Sequence, residues 1–395
     1  MATSLTAEKL SQAVRLVRDS GFDAWMVFDR ETALGGDPVL PLILAGGLTW
    51  QSALIITRDG RKIAVVGNYD ADPIKASGDW DEVVPYVQSI REPLLEVLDR
   101  VCGPEPKIAV NFSTNDVKAD GLSHGMYLLL VDYLAGTSFQ GSLVSAEKIV
   151  MSLRGQKTPA EIERLQLAIK CGDLVFGLIE SFASVGVSEV AIYEQAQAYI
   201  DDKGWGYGWD RAGNPIVNSG PDSMVGHGKP SPDITLQPGH VFHIDLGVIV
   251  DGYSSDIQRC WFVGDSVPDD VVQACDAVNL AITTAADVLR PGVEGWMVDA
   301  AARKSIVESG YDEYMHALGH QVGRVAHDGG AILGPKWQRY GDTPMIPIQK
   351  DEVYTLELGV MLPERGYLGL EEIVVVTDDG CEFMSERQIT IDTII

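Results

Sequence analysis

Short apolar runs alternate with helical stretches along roughly the first 150 residues. The runs DAWMVF, SALIITRDG, KIAVVG and KIAVNF are rich in β-branched and aromatic residues, which is typical of strands. The opening stretch, MATSLTAEKLSQAVRLVRDSG, has the apolar spacing of an amphipathic helix and lacks the features of an export signal. This alternation predicts an α/β domain with a mixed or parallel sheet over residues 1–150.

The clearest boundary signal is the stretch TPAEIERLQLAI. Thr158 is a suitable N-cap residue, Pro159 occupies the first helical position, and Glu161 completes a capping box. Apolar residues follow at helical spacing. A helix is therefore predicted to begin here, and with it a second domain over residues 158–395.

The second domain shows the same order of elements twice. Helical stretches at 158–182 and 188–202 precede the strand pair HVFHIDLGVIVDGYSSDIQRCWFVG, which turns at Asp251-Gly252. Helical stretches at 268–289 and 295–309 precede the strand pair EVYTLELGVMLPERGYLGLEEIVVVT, which turns near 363–366. Helix, helix and hairpin thus occur twice, as an inferred structural echo without a sequence repeat.

Each predicted hairpin carries one acidic residue inside each of its apolar arms. These residues are Asp245 and Asp256 in the first hairpin and Glu357 and Glu371 in the second. One interpretation is the solvent-facing side of an antiparallel sheet. The other is a metal site, because a buried carboxylate is costly unless it is paired or bound to a cation.

Histidines cluster in the stretch HALGHQVGRVAH, residues 316–327. His316 and His320 have i,i+4 spacing, so a helical surface pair and a metal-binding role are both open. His243 shares a strand face with Asp245. It either supports a metal ligand through a hydrogen bond or is an ordinary packed histidine. An imidazole added to carboxylates favours Mn, Co, Fe or Zn over Ca or Mg.

Composition narrows the classes of partner. The chain has 57 acidic against 30 basic residues, a net charge of −27, which repels nucleic acids and anionic membrane surfaces. The densest apolar patch, GMYLLLVDYLAG, is shorter than the roughly 20 residues that span a bilayer. The 5 cysteines are scattered, which predicts neither a disulfide framework nor a thiolate metal site and favours a reducing cytoplasm.

Five motifs, in order and spacing, resemble the pita-bread metallopeptidases, the family of creatinase, aminopeptidase P and prolidase. They are NSGPDSMVGHGKPSPDITLQPG, HIDLGVIVDGYSSDIQR, HALGHQVGRVAH, TLELG and GLEEIVVV. The resemblance implies a creatinase-like α/β N-terminal domain followed by an α+β pita-bread catalytic domain. The positions that match the family's metal ligands are Asp245, Asp256, His320, Glu357 and Glu371.

The same resemblance implies an activity. Two divalent ions (Mn, Co, Zn or Fe) would hold a bridging hydroxide that attacks an amide bond. His227, His316 and His327 match histidines that face the substrate, and Glu357 matches the residue that carries the water proton to the leaving amine. The expected enzyme is an Xaa-Pro aminopeptidase or dipeptidase that acts on short peptides as a homodimer.

Some positions depart from the family pattern. Leu358 stands where proline is usual and Gly369 where arginine is usual, while Gln258 and Cys260 replace a threonine-bearing form, and Asp222 replaces asparagine. Between His327 and Glu357, the side chains available to line a pocket are Trp337, Arg339 and Tyr340.

Other functions stay open at this point. One is a metal-dependent non-peptidase hydrolase or lyase on the same fold that acts on a small amide or onium compound. Another is a non-catalytic pita-bread binding protein, although the complete ligand set argues against it. The Gly-rich stretch GWGYGWDRAG fits neither a dinucleotide fingerprint nor a P-loop.

Overall fold

A computed structural model describes residues 4–226 and 228–395. The chain divides into two compact units, one that ends at Arg154 and one that begins at Gly155. Each unit has its own hydrophobic core.

The first unit is a six-stranded mixed sheet with helices. The strands are β1 Ala24–Asp29, β2 Ser52–Thr57, β3 Lys62–Gly67, β4 Glu82–Tyr86, β5 Ile108–Val110 and β6 Leu143–Ser145. The helices are α1 Leu5–Ser20, α2 Leu40–Ile43, α3 Asn68–Ser77, α4 Arg91–Val101, α5 His124–Leu134 and α6 Glu147–Gly155, the last of which crosses the unit boundary. The strand order is β4-β3-β2-β1-β5-β6.

The central strand β1 is buried on both faces. Trp25 and Val27 pack into one core cluster, whereas Met26 and Phe28 pack into a second. Successive side chains of a strand point to opposite faces, so both faces of this sheet are covered. That burial explains why the sequence shows a continuous apolar run there instead of an alternating pattern.

The second unit contains the two predicted helix pairs and hairpins. Its helices are α7 Pro159–Phe182, α8 Glu189–Asp202, α9 Asp269–Val288 and α10 Gly295–Glu308. Its strands are β7 Gly206–Tyr207, β8 Ile216–Ser219, β9 Val241–Leu246, β10 Val248–Val250, β11 Tyr253–Ser254, β12 Ile257–Val263, β13 Val353–Leu362, β14 Gly366–Val376, β15 Cys381–Phe383 and β16 Asp392–Ile394.

Helix α7 begins with the predicted capping box. The Thr158 side chain accepts a hydrogen bond from the backbone N–H of Glu161, and the Glu161 carboxylate accepts one from the backbone N–H of Thr158. These bonds satisfy two N–H groups that the start of a helix leaves unpaired. The four predicted helices of this unit all form, with ends within one residue of prediction.

The first hairpin turns where predicted but is interrupted. Asp251 and Gly252 have φ values of 48° and 77°, the left-handed conformation that tight two-residue hairpin turns require. On the second arm β11 ends at Ser254 and β12 starts at Ile257, so Asp256 lies in the two-residue gap between these strands. The prediction that Asp256 lies inside a strand is wrong, because the antiparallel ladder is interrupted on both arms. The interruption falls at Gly247 on the first arm and at residues 255–256 on the second.

The second hairpin separates core residues from acidic ones by strand alternation. Leu356 and Leu358 of β13 pack with α9 and α10 in one core cluster, and Glu357 points to the opposite face. Leu358 is only 1% exposed. The apolar residue at this position therefore completes the core beneath the hairpin.

A buried ion pair ties β12 to β14. The Arg259 guanidinium contacts both carboxylate oxygens of Glu372, at 3.2 and 3.1 Å, and donates to the Glu371 carbonyl oxygen at 3.0 Å. Both side chains are less than a tenth exposed. The pair fixes β14, and hence the direction of the Glu371 side chain, against β12.

Two further features bear on the predicted setting of the protein. Among the described residues, no helix combines the length and hydropathy needed to cross a bilayer. The cysteines are all free of disulfide bonds.

We predict that Arg259→Leu lowers the free energy of unfolding by about 3–5 kcal/mol, because it removes the positive charge that pairs with the buried Glu372 carboxylate. Urea unfolding followed by circular dichroism measures this change. Lys304→Leu is the matched control, since Lys304 pairs with Glu308 on the exposed face of α10 and should leave the midpoint almost unchanged. Equal effects of the two substitutions would contradict a structural role for the buried pair.

Candidate metal centre and active site

The acidic residues of the two hairpins and one histidine meet at a single place. The ligand atoms of Asp256, His320 and Glu371 all lie within 4.8 Å of one another. The His320 Nε2 atom is 3.6 Å from Asp256 Oδ2 and 3.5 Å from Glu357 Oε1. Asp245 is close enough for its charge to raise the pKa values of Asp256, Glu357 and Glu371. All five predicted ligands therefore belong to one cluster.

Strand register brings the acidic residues together. Glu357 and Glu371 are direct partners across the β13–β14 ladder, so their side chains lie on the same face. Asp245 on β9 is likewise opposite Gln258 on β12. Because β12 packs beside β14, the two hairpins present their polar positions to each other.

His320 reaches the cluster from an extended segment. Its backbone carbonyl accepts from Thr355 N at 2.9 Å, and the Leu318 carbonyl accepts from Glu357 N at 2.7 Å, so residues 318–320 lie against β13. A helical surface pair of His316 and His320 is therefore wrong. Hydrogen bonds to the free edge of β13 replace those a helix would make.

The tautomer of His320 follows from its neighbours. The Nδ1 atom faces the Gln321 carbonyl at 3.3 Å, so it carries the proton. Burial lowers the pKa of His320 to about 3, helped by the nearby His327, so the ring is neutral. Its Nε2 lone pair then faces carboxyl oxygens of Asp256 and Glu357. An imidazole nitrogen and carboxylate oxygens placed in this way can bind one divalent cation together.

No lysine or arginine in the described part of the chain is among the groups that shift the pKa values of these carboxyls. Burial raises the pKa of Asp245 to about 7 and that of Glu357 to about 8, the latter with help from the Asp245 charge. Burial, followed by mutual repulsion, raises the pKa of Asp256 and Glu371 well above the usual range. Asp245 Oδ1 is buried without a hydrogen-bond partner. Carboxylate oxygens and one imidazole nitrogen thus fit divalent ions such as Mn, Co, Fe or Zn.

The predicted substrate-facing histidines border this cluster in part. The His327 ring packs edge-on against His320, with centroids 4.2 Å apart, and its side chain is exposed. His316 is also exposed, and its ring packs against Tyr314 with ring centroids 5.6 Å apart. His227 lies outside the described residues.

Residues 336–340 support the histidine segment. Trp337 stacks on Tyr340, whose hydroxyl accepts from Ala317 N at 3.0 Å, and Arg339 donates to the Met315 carbonyl at 2.7 Å. These side chains therefore hold the backbone on both sides of His316. The Gly-rich stretch 204–213 contains β7, which pairs with β10, so it serves the sheet around the first hairpin.

Sequence reasoning missed the importance of Tyr367. A Cβ atom added to Gly359 or to Gly369 would lie 2.4 Å from the Tyr367 ring. Gly359 and Gly369 are partners in the β13–β14 ladder, so together they make room for this ring. The ring stands edge-on to His243, with centroids 5.0 Å apart. An arginine at position 369, usual in the family, would have no space.

A family model described as metallopeptidase family M24 matches residues 163–378, more than half of the chain. The chain belongs to metallopeptidase family M24. Among relatives, the protein YkvY of Bacillus subtilis is 32% identical over 244 residues, which cover 62% of this chain and 64% of YkvY. The Xaa-Pro dipeptidase of Lactobacillus delbrueckii is 27% identical over 310 residues, 78% of each chain.

Solved structures match this M24 chain along its whole length. The dipeptidase PepE of Mycobacterium ulcerans has a TM-score of 0.75 at 25% identity and covers 100% of this chain and 99% of its own. The Xaa-Pro dipeptidase of Bacillus anthracis has a TM-score of 0.74 at 22% identity, with 98% and 100% covered. The predicted pita-bread family, the two-part fold class and the metallopeptidase class are confirmed, and the family implies use of divalent metal.

We predict that the metal-free M24 peptidase becomes less stable as pH rises from about 5 to 8. Its buried carboxyls have raised pKa values, so the folded state binds more protons than the unfolded state within this window. Stability present below the unfolded values is lost as pH rises through the folded ones. Melting temperatures measured in a chelator across this range test the prediction, and added divalent ion should reduce the loss.

Glu357→Gln should flatten this pH dependence, because it removes one carboxyl whose pKa is raised. Glu180→Gln, on the exposed surface of α7, removes the same charge and serves as the control. A metal-free melting temperature that stays constant or rises between pH 5 and 8 would refute the explanation.

Proposed function

We propose that this M24 peptidase holds two divalent ions and cleaves Xaa-Pro bonds of short peptides, as an aminopeptidase or dipeptidase. The ligands proposed for the ions are Asp245, Asp256, His320, Glu357 and Glu371. One observation carries the proposal: the His320 ring and the carboxyl groups of Asp256, Glu357 and Glu371 converge on one space, largely shielded from water. By the family resemblance, Asp256 and Glu371 are the ligands shared by both ions.

The ions would supply Lewis acidity, which polarises the scissile carbonyl group and acidifies water. Glu357 would take the proton from the attacking water and deliver it to the amine nitrogen as the C–N bond breaks. Glu357 suits this task because its carboxyl lies within the cluster, with Oε1 3.5 Å from His320 Nε2.

His327 and His316 would act on the substrate from the exposed side of the cluster. A ring N–H donated to the carbonyl oxygen stabilises the negative charge that develops there. His327 is placed for this role by its contact with His320. His227 takes part in the proposal by the family resemblance alone.

The Xaa-Pro specificity is supported by the relatives that share both units. Proteins named X-Pro aminopeptidase, Xaa-Pro dipeptidase and prolidase have folds that cover at least 97% of this chain. The N-terminal unit, residues 1–150, is proposed as a creatinase-like domain that limits substrate length in a homodimer. Exposed Leu34, Trp50 and Tyr69 on that unit fit a surface that a second copy covers. A cytoplasmic location is proposed from the free cysteines.

The decisive experiment is elemental analysis of the purified protein followed by a peptide panel. We expect two metal ions per chain and release of free amino acid from Xaa-Pro dipeptides and Xaa-Pro tripeptides with Mn, Co or Zn. Matched Xaa-Ala peptides are the controls. Two ions without Xaa-Pro cleavage would overturn the substrate and favour a small amide or onium compound. A chain that binds no ion would overturn the mechanism.

We predict that Asp256→Ala or Glu371→Ala abolishes activity and reduces metal content, because each removes a ligand proposed to be shared by both ions. His327→Ala should instead reduce kcat by about 10²–10³-fold with metal retained, as expected for loss of one oxyanion donor. His124→Ala, exposed at the start of α5, is the control. Full rate and full metal content in the ligand variants would show that the site is assigned to the wrong residues.

A further inference from the structure

The Gln258 side chain bridges the two glutamates of the second hairpin. Its Nε2 group donates to Glu357 Oε2 at 2.9 Å and to Glu371 Oε2 at 3.1 Å. Its Oε1 atom lies 3.0 Å from His243 Nε2. We propose that Gln258 is a positioning residue, which sets the relative orientation of Glu357 and Glu371 and so determines how tightly the site holds divalent ions. This inference rests on the proposed metal site.

The orientation of the Gln258 amide follows from its neighbours. Both N–H donors face carboxylate oxygens, and a flipped amide would place its own oxygen against them. The residue is 5% exposed, so water does not compete for these bonds. Each glutamate therefore has one oxygen fixed by the amide, and Glu357 Oε1 is left facing His320.

His243 fixes the amide from behind. The imidazole ring spans Gln258 and Asn218, with its Nδ1 atom 3.2 Å from Asn218 Oδ1, and it is 3% exposed. Tyr367 packs edge-on against the same ring. A Cβ atom at Gly369 would lie 2.9 Å from Gln258 Oε1, so the glycine keeps space for this arrangement. These contacts hold the Gln258 amide oxygen next to His243 and its N–H donors next to the two glutamates.

The neutrality of the amide has a chemical consequence. A lysine or arginine in this place would also orient the glutamates, but its charge would offset theirs and weaken their attraction for a divalent ion. Gln258 supplies directed donors without positive charge. Once ionised by metal binding, the two glutamates would therefore offer the ion their full negative charge.

The test is titration of the metal-stripped full-length chain with Mn²⁺ by calorimetry. Gln258→Met removes both donors at similar volume and should weaken Mn²⁺ binding by about 10–100-fold, the range typical of residues that orient metal ligands. Gln258→Asn keeps a neutral amide on a shorter stem and should recover part of that loss. A weakened Mn²⁺ affinity with near-normal melting of the metal-free chain supports the positioning role.

The matched control is Gln388→Met. The Gln388 side chain also bonds to β12, through the backbone N–H and carbonyl of Cys260, but no hydrogen bond joins it to Glu357 or Glu371. Its substitution should lower the melting temperature and leave Mn²⁺ affinity within twofold of wild type. If Gln258→Met fails to fold, Gln258→Asn and Gln258→Thr carry the measurement.

The outcomes separate this inference from the proposed function. Wild-type affinity in the Gln258 variants, with a wild-type chain that binds Mn²⁺, overturns the positioning role alone. A wild-type chain that binds no Mn²⁺ overturns the metal site and this inference together. Equal losses of Mn²⁺ affinity in Gln258→Met and Gln388→Met would show a general structural effect and also overturn the inference.

Discussion

Repulsion among four neighbouring acidic side chains, shielded from water to a large extent, is the constraint on which the second unit depends. Burial raises the pKa of Asp245, Asp256, Glu357 and Glu371, and for the last three the acidic neighbours raise it further. A fold that brings such groups together loses stability unless a cation joins them. The surrounding structure must therefore hold the carboxylates at the separation that a cation needs.

Neighbouring residues divide this work. Next to Gln258, which contacts the glutamates, stands Arg259, which pairs with Glu372 and holds β14 in place. Successive residues of β13 also have different roles, because Leu356 and Leu358 pack in the core while Glu357 faces the site. The packing of the core and the geometry of the site are thus set by adjacent positions. A shift of one residue in strand register would exchange their roles.

The departures from the family pattern make physical sense together. Gly369 leaves no room for arginine because the Tyr367 ring and the Gln258 amide fill the space. The Gln258 amide donates to both glutamates as a neutral group, where the arginine usual in the family would bring a fixed positive charge. Leu358 adds to the core beneath the hairpin instead of restricting the backbone as proline would. Gly369 and Gln258 are therefore linked through shared contacts, whereas Leu358 serves the core on the opposite face of β13.

Some of this could be read from the sequence alone. The capping box at Thr158, the hairpin turn at Asp251-Gly252 and the helix ends of the second unit depend on interactions between near neighbours, so local pattern predicts them. The types and order of the candidate ligands were also readable, because a carboxylate in an apolar strand needs a partner.

Only the tertiary structure decided how these residues meet. In the structure His320 lies in an extended segment along the edge of β13, and Asp256 lies in a gap between two strands. It also joined Gln258 to Glu371, 113 positions further along the chain. Contacts of this kind depend on packing between distant elements and leave no local periodicity in the sequence. Residue types and nearby bonds were therefore determined by sequence, whereas the shape of the site came from long-range packing.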